Sequence, residues 1–304
     1  MAQHSTVLRA STPERRHAKW GWIFISPWLL GFLLFTAWPM IASLYLSFCK
    51  YDLNTIQWVG VANYERIFSR DKEFWIALWN TAFYVLFSVP LGLTGSLLLA
   101  MVMNRAVRGV SFFRASFYVA TLVPSVAASL LWMELFNKDA GPINHVLGWV
   151  GVDPIPWLTS KEWAKPSLIL MSLWGIGGAR MLIFLAGLQQ IDQQYYEAAD
   201  LDGASAWHKF RHITLPLLTP TILFNLILGM IGAFTVFTSA YVMTSGGPEN
   251  ATLFYMLYLF RQAFEYFRMG YASALAWILF AILFGLTLIQ FRISKRWVHY
   301  EGGE

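Results

Sequence analysis

The chain has 304 residues, of which 57% are hydrophobic and only 13% are charged. These proportions leave too few polar residues to cover a soluble surface, so they indicate a polytopic membrane protein. The formal net charge is +5, but the basic residues are dispersed and form no cluster, so we expect no nucleic-acid partner. Cys49 is the only cysteine, which excludes an intramolecular disulfide, and no residue pattern predicts a metal site.

Six apolar segments are long enough to cross a hydrocarbon core of about 30 Å, which takes about 20 helical residues. In chain order they are Trp22–Phe48, Trp75–Met103, Phe113–Leu135, Ser167–Leu188, Leu217–Tyr241 and Ala272–Phe291. Pro90 and Pro124 fall inside the second and third and are expected to kink them. The segment Thr252–Phe260 is too short to span and is predicted to lie at the membrane surface. The fold class is therefore an all-α membrane protein with six transmembrane helices.

Lys and Arg in short loops resist translocation and so indicate orientation. If the N-terminus is inside, the inner segments carry more of these residues than the outer segments, although the outer segments are jointly longer. We therefore predict that both termini are cytoplasmic. The domain boundaries follow as a cytoplasmic tail over 1–20, a transmembrane domain over 21–296 with a polar inner loop over 189–216, and a cytoplasmic tail over 297–304.

The inner loop over 189–216 has the signals of two short helices. Asp192 can cap a helix that begins at Gln193, and Gly203 can end it. Ser205 can cap a second turn near Ala206–His212. The loop is thus predicted to be ordered rather than a loose connection.

Two further residues connect this loop to the fifth span. Thr214 is predicted to cap that span, and Pro216 falls in its first turn, where a missing backbone N–H leaves no helical hydrogen bond unmade. Ala198 and Ala199 carry little side-chain bulk, so another backbone could approach closely, with Glu197 placed to pair with a basic partner. The loop is therefore predicted to be a docking device for a soluble partner.

The same loop contains a spaced pattern: Glu197-Ala198-Ala199, three residues, Gly203, nine residues, then Ile213-x-Leu215-Pro216. Ordinary helix-forming composition could produce the first three residues alone, but not readily the whole pattern. The chain resembles the permease subunits of binding-protein-dependent ABC importers, whose signature loop matches at every position. The resemblance implies a type I ABC importer permease fold with a cytoplasmic coupling helix. The implied ATPase-coupling residues are Glu197, Ala198, Ala199, Asp202, Gly203, Leu215 and Pro216.

Further segments are similar to the carbohydrate branch of these permeases, which includes the maltose, lactose and glycerol-3-phosphate systems. They are Trp58-Val59-Gly60 with Asn63-Tyr64, Asn80-Thr81, Tyr241 to Pro248 with its Thr-x-Gly-Gly-Pro element, and Gly270 to Ala274. The resemblance implies a second permease subunit as a heterodimer partner, two ATPase subunits, an extracytoplasmic solute-binding protein and a carbohydrate substrate. It also implies a location in a bacterial or archaeal cytoplasmic membrane.

The chain has no Gly-x-x-x-x-Gly-Lys-Ser/Thr phosphate-binding loop and no soluble segment large enough for a nucleotide domain. The energy for transport must then reach this chain through contact with partner ATPase subunits, which bind ATP and Mg. We therefore expect no enzyme activity and no cofactor in this chain.

The resemblance places the substrate path between the fourth and fifth spans. The expected residues are Trp174, Gly175, Ala179, Arg180, Asn225, Gly229, Ala233 and Phe237. Facing lipid would cost Arg180 about 2.5–3.5 kcal/mol on insertion scales, so its guanidinium should face the path, snorkel to the inner surface or pair within the permease dimer. If Arg180 lines the path, an acidic or phosphorylated sugar is favoured.

Gly246, Gly247 and Pro248 predict a tight outer turn. Together with the segment around Asn144, this turn is a candidate outer gate and contact surface for the binding protein, although a plain turn explains it equally well.

Three other functions compete with this interpretation. A permease of the same class could carry another solute, such as a polyamine or phosphate. An ion-coupled transporter would need intramembrane carboxylates, yet Glu134 is the only acid in or near a span. An intramembrane enzyme is disfavoured because the histidines, including the pair His208 and His212, lie in tails or loops.

Overall fold

The computed structural model of the chain describes residues 12–105 and 108–299, with side chains from Trp20 onward. The described part is mostly helical and contains one two-stranded antiparallel hairpin. The helical class predicted from the sequence is therefore confirmed. Most of the predicted N-terminal tail and the end of the C-terminal tail lie outside the described residues.

The helices and strands follow one another along the chain as successive elements. They are α1 (Thr12–Phe32), a π-turn (Leu33–Ala37), α2 (Trp38–Ser47), β1 (Cys49–Tyr51), β2 (Ile56–Trp58), α3 (Ala62–Ser69), α4 (Lys72–Met103), α5 (Val110–Ala120), α6 (Ser125–Leu135), α7 (Pro142–Trp149), α8 (Lys161–Ser172), a 3-10 turn (Leu173–Gly177), α9 (Ala179–Gln190), α10 (Gln193–Leu201), α11 (Ala206–Lys209), a π-turn (Phe210–Thr214), α12 (Leu215–Leu217), α13 (Thr219–Phe234), α14 (Thr238–Met243), α15 (Tyr255–Phe260), a π-turn (Arg261–Glu265) and α16 (Met269–Ser294).

Four stretches within the described residues are long and apolar enough to cross a membrane by themselves: Trp20–Ser47, Lys72–Met103, Thr219–Met243 and Met269–Ser294. The predicted third and fourth spans are instead helix pairs that bend by 91° and by 46°. The total is six if each bent pair forms one span. Pro90 does not interrupt α4, which runs continuously from Lys72 to Met103.

The break between α5 and α6 lies at Pro124, as its sequence position predicts. Proline lacks a backbone N–H and disfavours helical geometry in the residue before it. Pro124 has an extended backbone (φ −54°, ψ 137°), and α6 begins at the next residue. The helix end that this break exposes needs new hydrogen-bond partners because lipid supplies none.

The break between α8 and α9 supplies one of the hydrogen-bond partners that the end of α5 needs. Trp174, in the 3-10 turn, donates its indole N–H to the carbonyl of Ala120 at the end of α5 (3.2 Å). A Cβ at Gly177 would lie 2.9 Å from that of Phe117, and one at Gly178 would lie 3.1 Å from the Thr121 hydroxyl. The two breaks therefore pack directly on each other, and the glycines allow the close approach.

Helix α4 is the centre of the bundle and contacts α8, α9, α13 and α15. Its buried face repeats every fourth residue with small or polar side chains, which suits close helix packing. The residues of this stripe are Asn80, Tyr84, Ser88, Gly92, Ser96 and Ala100.

The predicted surface position of Thr252–Phe260 is wrong, because this segment is part of the core. Phe254, Tyr255 and Leu257 are fully buried, and α15 packs on α4. The backbone N–H of Tyr255 donates to the Thr81 hydroxyl (2.8 Å), and the Tyr255 hydroxyl donates to the carbonyl of Leu275 (2.7 Å). These contacts with α4 and α16 satisfy the polar groups of a segment too short to span.

The carboxylate of Asp71 joins the ends of three helices near this segment. It caps α4 by accepting from the Phe74 backbone N–H (3.1 Å) and also accepts from the hydroxyls of Tyr258 and Tyr271. Burial of the Tyr258 hydroxyl, together with its hydrogen bond to Asp71, raises the pKa of Tyr258. Tyr258 therefore remains a neutral donor, and α15 is held to the N-terminal ends of α4 and α16.

The hairpin of β1 and β2 is held by two of the sequence segments singled out above. The Asn63 amide donates to the carbonyls of Ser47 (2.8 Å) and Cys49 (2.9 Å). The carbonyl of Cys49 also lies against Gly270, where an added Cβ would be only 2.0 Å from the oxygen. The Asn-Tyr segment and the start of α16 thus meet at one strand.

Gly270→Ala is expected to destabilise the protein by about 1–3 kcal/mol because the new methyl group must displace backbone atoms of β1. Gly285→Ala is the matched control on the same helix, since a Cβ there meets nothing within 4 Å. Thermal unfolding of both purified variants in detergent checks this. Equal unfolding temperatures would contradict the packing described for Gly270.

Candidate functional site

The inner loop forms two capped helices, as predicted. The Asp192 carboxylate accepts from the backbone N–H of Gln194 (3.0 Å) at the start of α10. Gly203 has φ +72°, a left-handed conformation that favours glycine. The N–H of Ala204 then returns to the carbonyl of Ala199 (2.9 Å), which closes the C-terminus of α10.

The second half of the loop differs from the prediction at Thr214. Ser205 caps α11 by accepting from the His208 backbone N–H (3.3 Å), as expected. Thr214 has helical geometry and makes no cap, because the π-turn continues the helix from α11 into α12. Its hydroxyl instead bonds the hydroxyl of Tyr196 (2.9 Å), which ties α10 to the return segment.

Several contacts make the loop one stiff body with the transmembrane helices. Lys209 forms an ion pair with Asp200 across the loop (2.6 Å). Beneath it lies a buried cluster that includes Met103, Phe184, Leu188 and Leu218, from α4, α9 and the start of α13. A push on the loop would therefore move these helices with it.

The outer surface of the loop exposes apolar side chains. Leu201 is 91% exposed and Trp207 is 65% exposed, so neither side chain is buried in the core of this chain. Glu197, Ala198 and Asp202 are also exposed, whereas Ala199, Leu215 and Pro216 are half-buried. We call the set Tyr195, Glu197, Ala198, Leu201, Asp202 and Trp207 the loop knob. Sequence reasoning missed Trp207, although a large apolar residue in a polar loop was a usable signal.

The predicted path residues lie in more than one part of the structure. Arg180, Gly229 and Asn225 lie on the helix faces where α4, α9 and α13 meet, and Asn225 is buried, with its amide donating to the Thr221 carbonyl (3.1 Å). Gly175 and Ala179 are exposed beside the break.

The two aromatic residues of that set have structural partners. Trp174 is 46% exposed, bonds Ala120 and packs edge-on against Trp132 at 6.0 Å between ring centroids. Phe237 stacks on Tyr241 (5.3 Å) and packs on Phe260 (4.9 Å), with Ala233 half-buried nearby. Phe237 is therefore part of an aromatic cluster, and the place on the substrate path predicted for it remains a prediction.

The guanidinium of Arg180 occupies a slot between two glycines. A Cβ at Gly92 on α4 would lie 2.4 Å from Nη1, and one at Gly229 on α13 would lie 3.3 Å from Nη2. Gly92 was missed by sequence reasoning, although its place in the four-residue stripe of α4 was a signal.

The outer turn is held by α4. The Asn80 amide donates to the carbonyls of Asn250 (2.7 Å) and Leu253 (3.2 Å), and its oxygen accepts from Lys165 Nζ (3.0 Å). Gly246 has φ +77°, so the turn needs glycine there. Gly247 and Pro248 line a groove of about 700 Å³ with Glu134, Trp157 and others.

Asn144 lies inside this region rather than on its surface. It is buried, and it bonds the Lys138 carbonyl (2.9 Å), both backbone groups of Ile155 and the indole of Trp157 (2.8 Å). All polar atoms of its side chain are used to hold the loop between α6 and α8. A direct contact of Asn144 with an external protein is therefore not supported, and this residue is a structural support.

Asn80→Ala is expected to free the outer turn, because the carbonyls of Asn250 and Leu253 lose their donor at a cost of about 1–3 kcal/mol. Cleavage after Glu249 by glutamyl endopeptidase should become roughly tenfold faster, since local opening precedes cleavage. Lys165→Met is the matched control, because it removes a partner of Asn80 but leaves both bonds to the turn. Equal cleavage rates in Asn80→Ala and the parent protein would show that the turn is held by other contacts.

Comparison with known proteins gives a family. Residues 92–299 match the family described as binding-protein-dependent transport system inner membrane component. The chain is 46% identical over 303 residues to probable ABC transporter permease protein YesP of Bacillus subtilis, with 98% of this chain and 97% of that protein covered. It is 34% identical over 281 residues to lactose transport system permease protein LacF of Rhizobium radiobacter, with 90% and 94% covered.

A solved structure shares the fold. A chain of the bacterial alginate ABC transporter, in complex with its alginate pentasaccharide-bound periplasmic protein, aligns with a TM-score of 0.83 and 23% identity, covering 93% of this chain and 96% of that one. The chain belongs to the family of inner membrane components of binding-protein-dependent transport systems.

Proposed function

We propose that this chain is the membrane-spanning permease subunit of an ATP-driven sugar importer. It forms the translocation path with a second, different permease subunit and receives solute from an extracytoplasmic binding protein. Two ATPase subunits bind ATP and Mg, and this chain needs no cofactor of its own. Both termini lie on the cytoplasmic side of a bacterial or archaeal cytoplasmic membrane, and the six-span arrangement counts each bent helix pair as one span.

The loop knob is the observation that carries this proposal. Leu201 at the end of α10 and Trp207 on α11 are both exposed, and two large exposed apolar side chains in one short loop are typical of a surface that another protein covers. The rim residues Glu197 and Asp202 carry negative charge, which suits a partner with basic residues around an apolar cleft. Tyr196, which lies on α10 among the knob residues, packs against the buried cluster of α4 and α9, so closure of ATPase subunits would be transmitted to the bundle as a rigid push.

Sugar is favoured over other solutes by the relatives. One relative with 34% identity is named for lactose transport, and its likeness covers nearly the whole of both chains. The Asn-Thr pair of α4 also bonds Asn250 and Tyr255, in the segment that directly follows the Thr-x-Gly-Gly-Pro turn.

Reconstitution tests the proposal. The complete assembly in liposomes, supplied with its binding protein, is expected to hydrolyse ATP faster when a transported sugar is present. Glu197→Lys should remove this stimulation while the chain stays in the membrane, because the reversed charge opposes the partner. Asp153→Lys, a reversal at an exposed site in another loop, is the matched control. Sugar uptake by the purified chain without ATPase subunits would refute the proposal.

A further inference from the structure

The charge of Arg180 is not balanced by the helices around it. Within the described residues the ion pairs are Lys161–Glu249, Lys209–Asp200 and Arg261–Glu265, and Arg180 is in none of them. The sequences of α9, α13 and α16 contain no acidic residue, and α4 has only Glu73 in its first turn. The negative charge that balances Arg180 must therefore come from outside these helices.

The slot around the guanidinium is shaped for it. Gly92 and Gly229 are buried, and an alanine at position 92 would clash with Nη1 at 2.4 Å. Arg180 itself is only half-buried, so part of the guanidinium stays open. The fork of N–H donors is held in one orientation by the two helices and needs little further ordering to bind a planar anion.

A second observation points to a ligand at the same place. Ser88 lies one helical turn before Gly92 on the same face of α4 and is 7% exposed, and its hydroxyl makes no hydrogen bond of good geometry. The side chain of Tyr84, one turn earlier, lies near Ser88, Ser172 and the charge of Arg180. A buried hydroxyl without a well-formed hydrogen bond is costly, and a bound polar ligand would remove that cost.

We propose that Arg180, with Ser88 and Tyr84 beside it, binds the carboxylate of an acidic sugar as it passes through the permease, so that the substrate class is a uronate-containing oligosaccharide. This inference rests on the proposed function. One cation in the slot balances one negative charge, which suits a carboxylate better than a doubly charged phosphate. The buried hydroxyls of Ser88 and Tyr84 add hydrogen-bonding groups next to the guanidinium.

The first arm of the test uses the reconstituted assembly with its binding protein. The probes are acidic oligosaccharides from partial hydrolysis of pectin and of glucuronate-containing xylan, and the same mixtures after chemical reduction of their carboxyl groups. The acidic mixtures should stimulate ATP hydrolysis and uptake more than the reduced mixtures. Stimulation by neutral sugars alone would overturn this inference but not the proposed function. A lack of stimulation by any sugar, acidic or neutral, would overturn both.

The second arm separates the permease from the binding protein. Because the same binding protein serves every assay, its own preference cancels when variants are compared. Arg180→Gln should lower uptake of the acidic sugar about tenfold or more relative to the reduced sugar, and Arg180→Lys should restore part of it. Gly92→Ala should act in the same direction because it displaces Nη1. The matched controls are Gly285→Ala and Arg292→Gln, which removes an exposed charge at the end of α16.

If Arg180→Gln lowers uptake of the acidic and the reduced sugars equally, Arg180 pairs with the second permease and the inference is wrong. Thermal unfolding and size-exclusion chromatography of each assembly distinguish that outcome from misfolding. If Arg180→Gln does not assemble, the test uses the ratio of acidic-sugar uptake to reduced-sugar uptake in Arg180→Lys and Gly92→Ala. A ratio equal to that of the parent protein in both variants overturns the inference.

Discussion

Gly203→Pro is expected to lower sugar-stimulated ATP hydrolysis roughly tenfold or more while leaving the chain inserted in the membrane. Proline fixes φ near −65°, whereas residue 203 has φ +72° and uses its N–H to bond the carbonyl of Asp200 (3.1 Å). The cost of forcing this backbone is about 1–3 kcal/mol, and it falls on the end of α10 that presents the loop knob. A cost of that size reduces the docking-competent population roughly tenfold or more.

Gly203→Asn is the matched rescue for this experiment. Asparagine tolerates the left-handed conformation better than other residues, so this variant should keep most of the activity. No atom lies within 4 Å of a Cβ at this position, so the difference between the two variants reports backbone geometry and not crowding. If both variants have normal uptake, the shape of the loop does not matter for coupling.

Leu201→Asp is expected to weaken ATPase recruitment about 100-fold. The side chain is 91% exposed, so its loss removes little from the stability of this chain. In a docked complex the leucine would be buried, and its replacement loses about 1.5–3 kcal/mol of burial and adds a carboxylate that must be desolvated. The measurement is the fraction of ATPase subunits that purify with a tagged form of this chain.

Val150→Asp is the control for that variant, because Val150 is 75% exposed on a loop that the proposal leaves without an ATPase contact. It should retain its ATPase subunits. Normal copurification in Leu201→Asp, at subunit concentrations near the dissociation constant, would show that the knob is not the docking surface.

The inner loop could be predicted well from the sequence because its signals are local. Asp192 and Ser205 each cap the helix that follows, and Gly203 ends α10, as the residue types indicate. Thr214 was assigned a capping role that it does not have, because a π-turn carries the helix through that position. The Thr214 hydroxyl bonds the Tyr196 hydroxyl instead of capping a helix. Residue spacing alone does not reveal this contact.

The bent spans and α15 were predicted less well because they depend on contacts between distant residues. Pro124 marks the break in the third span, but the break at Gly178 has no proline, and its geometry follows from packing against Thr121. The buried position of α15 depends on Thr81 and Leu275, far away in the sequence. Hydrophobicity alone could not distinguish a surface helix from a segment that enters the core.

The site around Arg180 could be predicted from the sequence only in part. That Arg180 matters follows from a charged residue in an apolar segment, which the sequence shows directly. The slot that receives it combines Gly92 on α4 with Gly229 on α13, a pairing that requires the helix packing to be known.

Crosslinking from a single cysteine at position 201 tests the central claim most directly. Cys49 is the only native cysteine and is buried, so a Leu201→Cys variant gives one accessible thiol. In membrane vesicles of known sidedness, a membrane-impermeant maleimide should label this thiol only from the cytoplasmic side. A thiol-reactive photocrosslinker attached there should capture an ATPase subunit, and ATP should change the yield. Labelling only from the outside, or labelling from the inside with no ATPase adduct, would contradict the account.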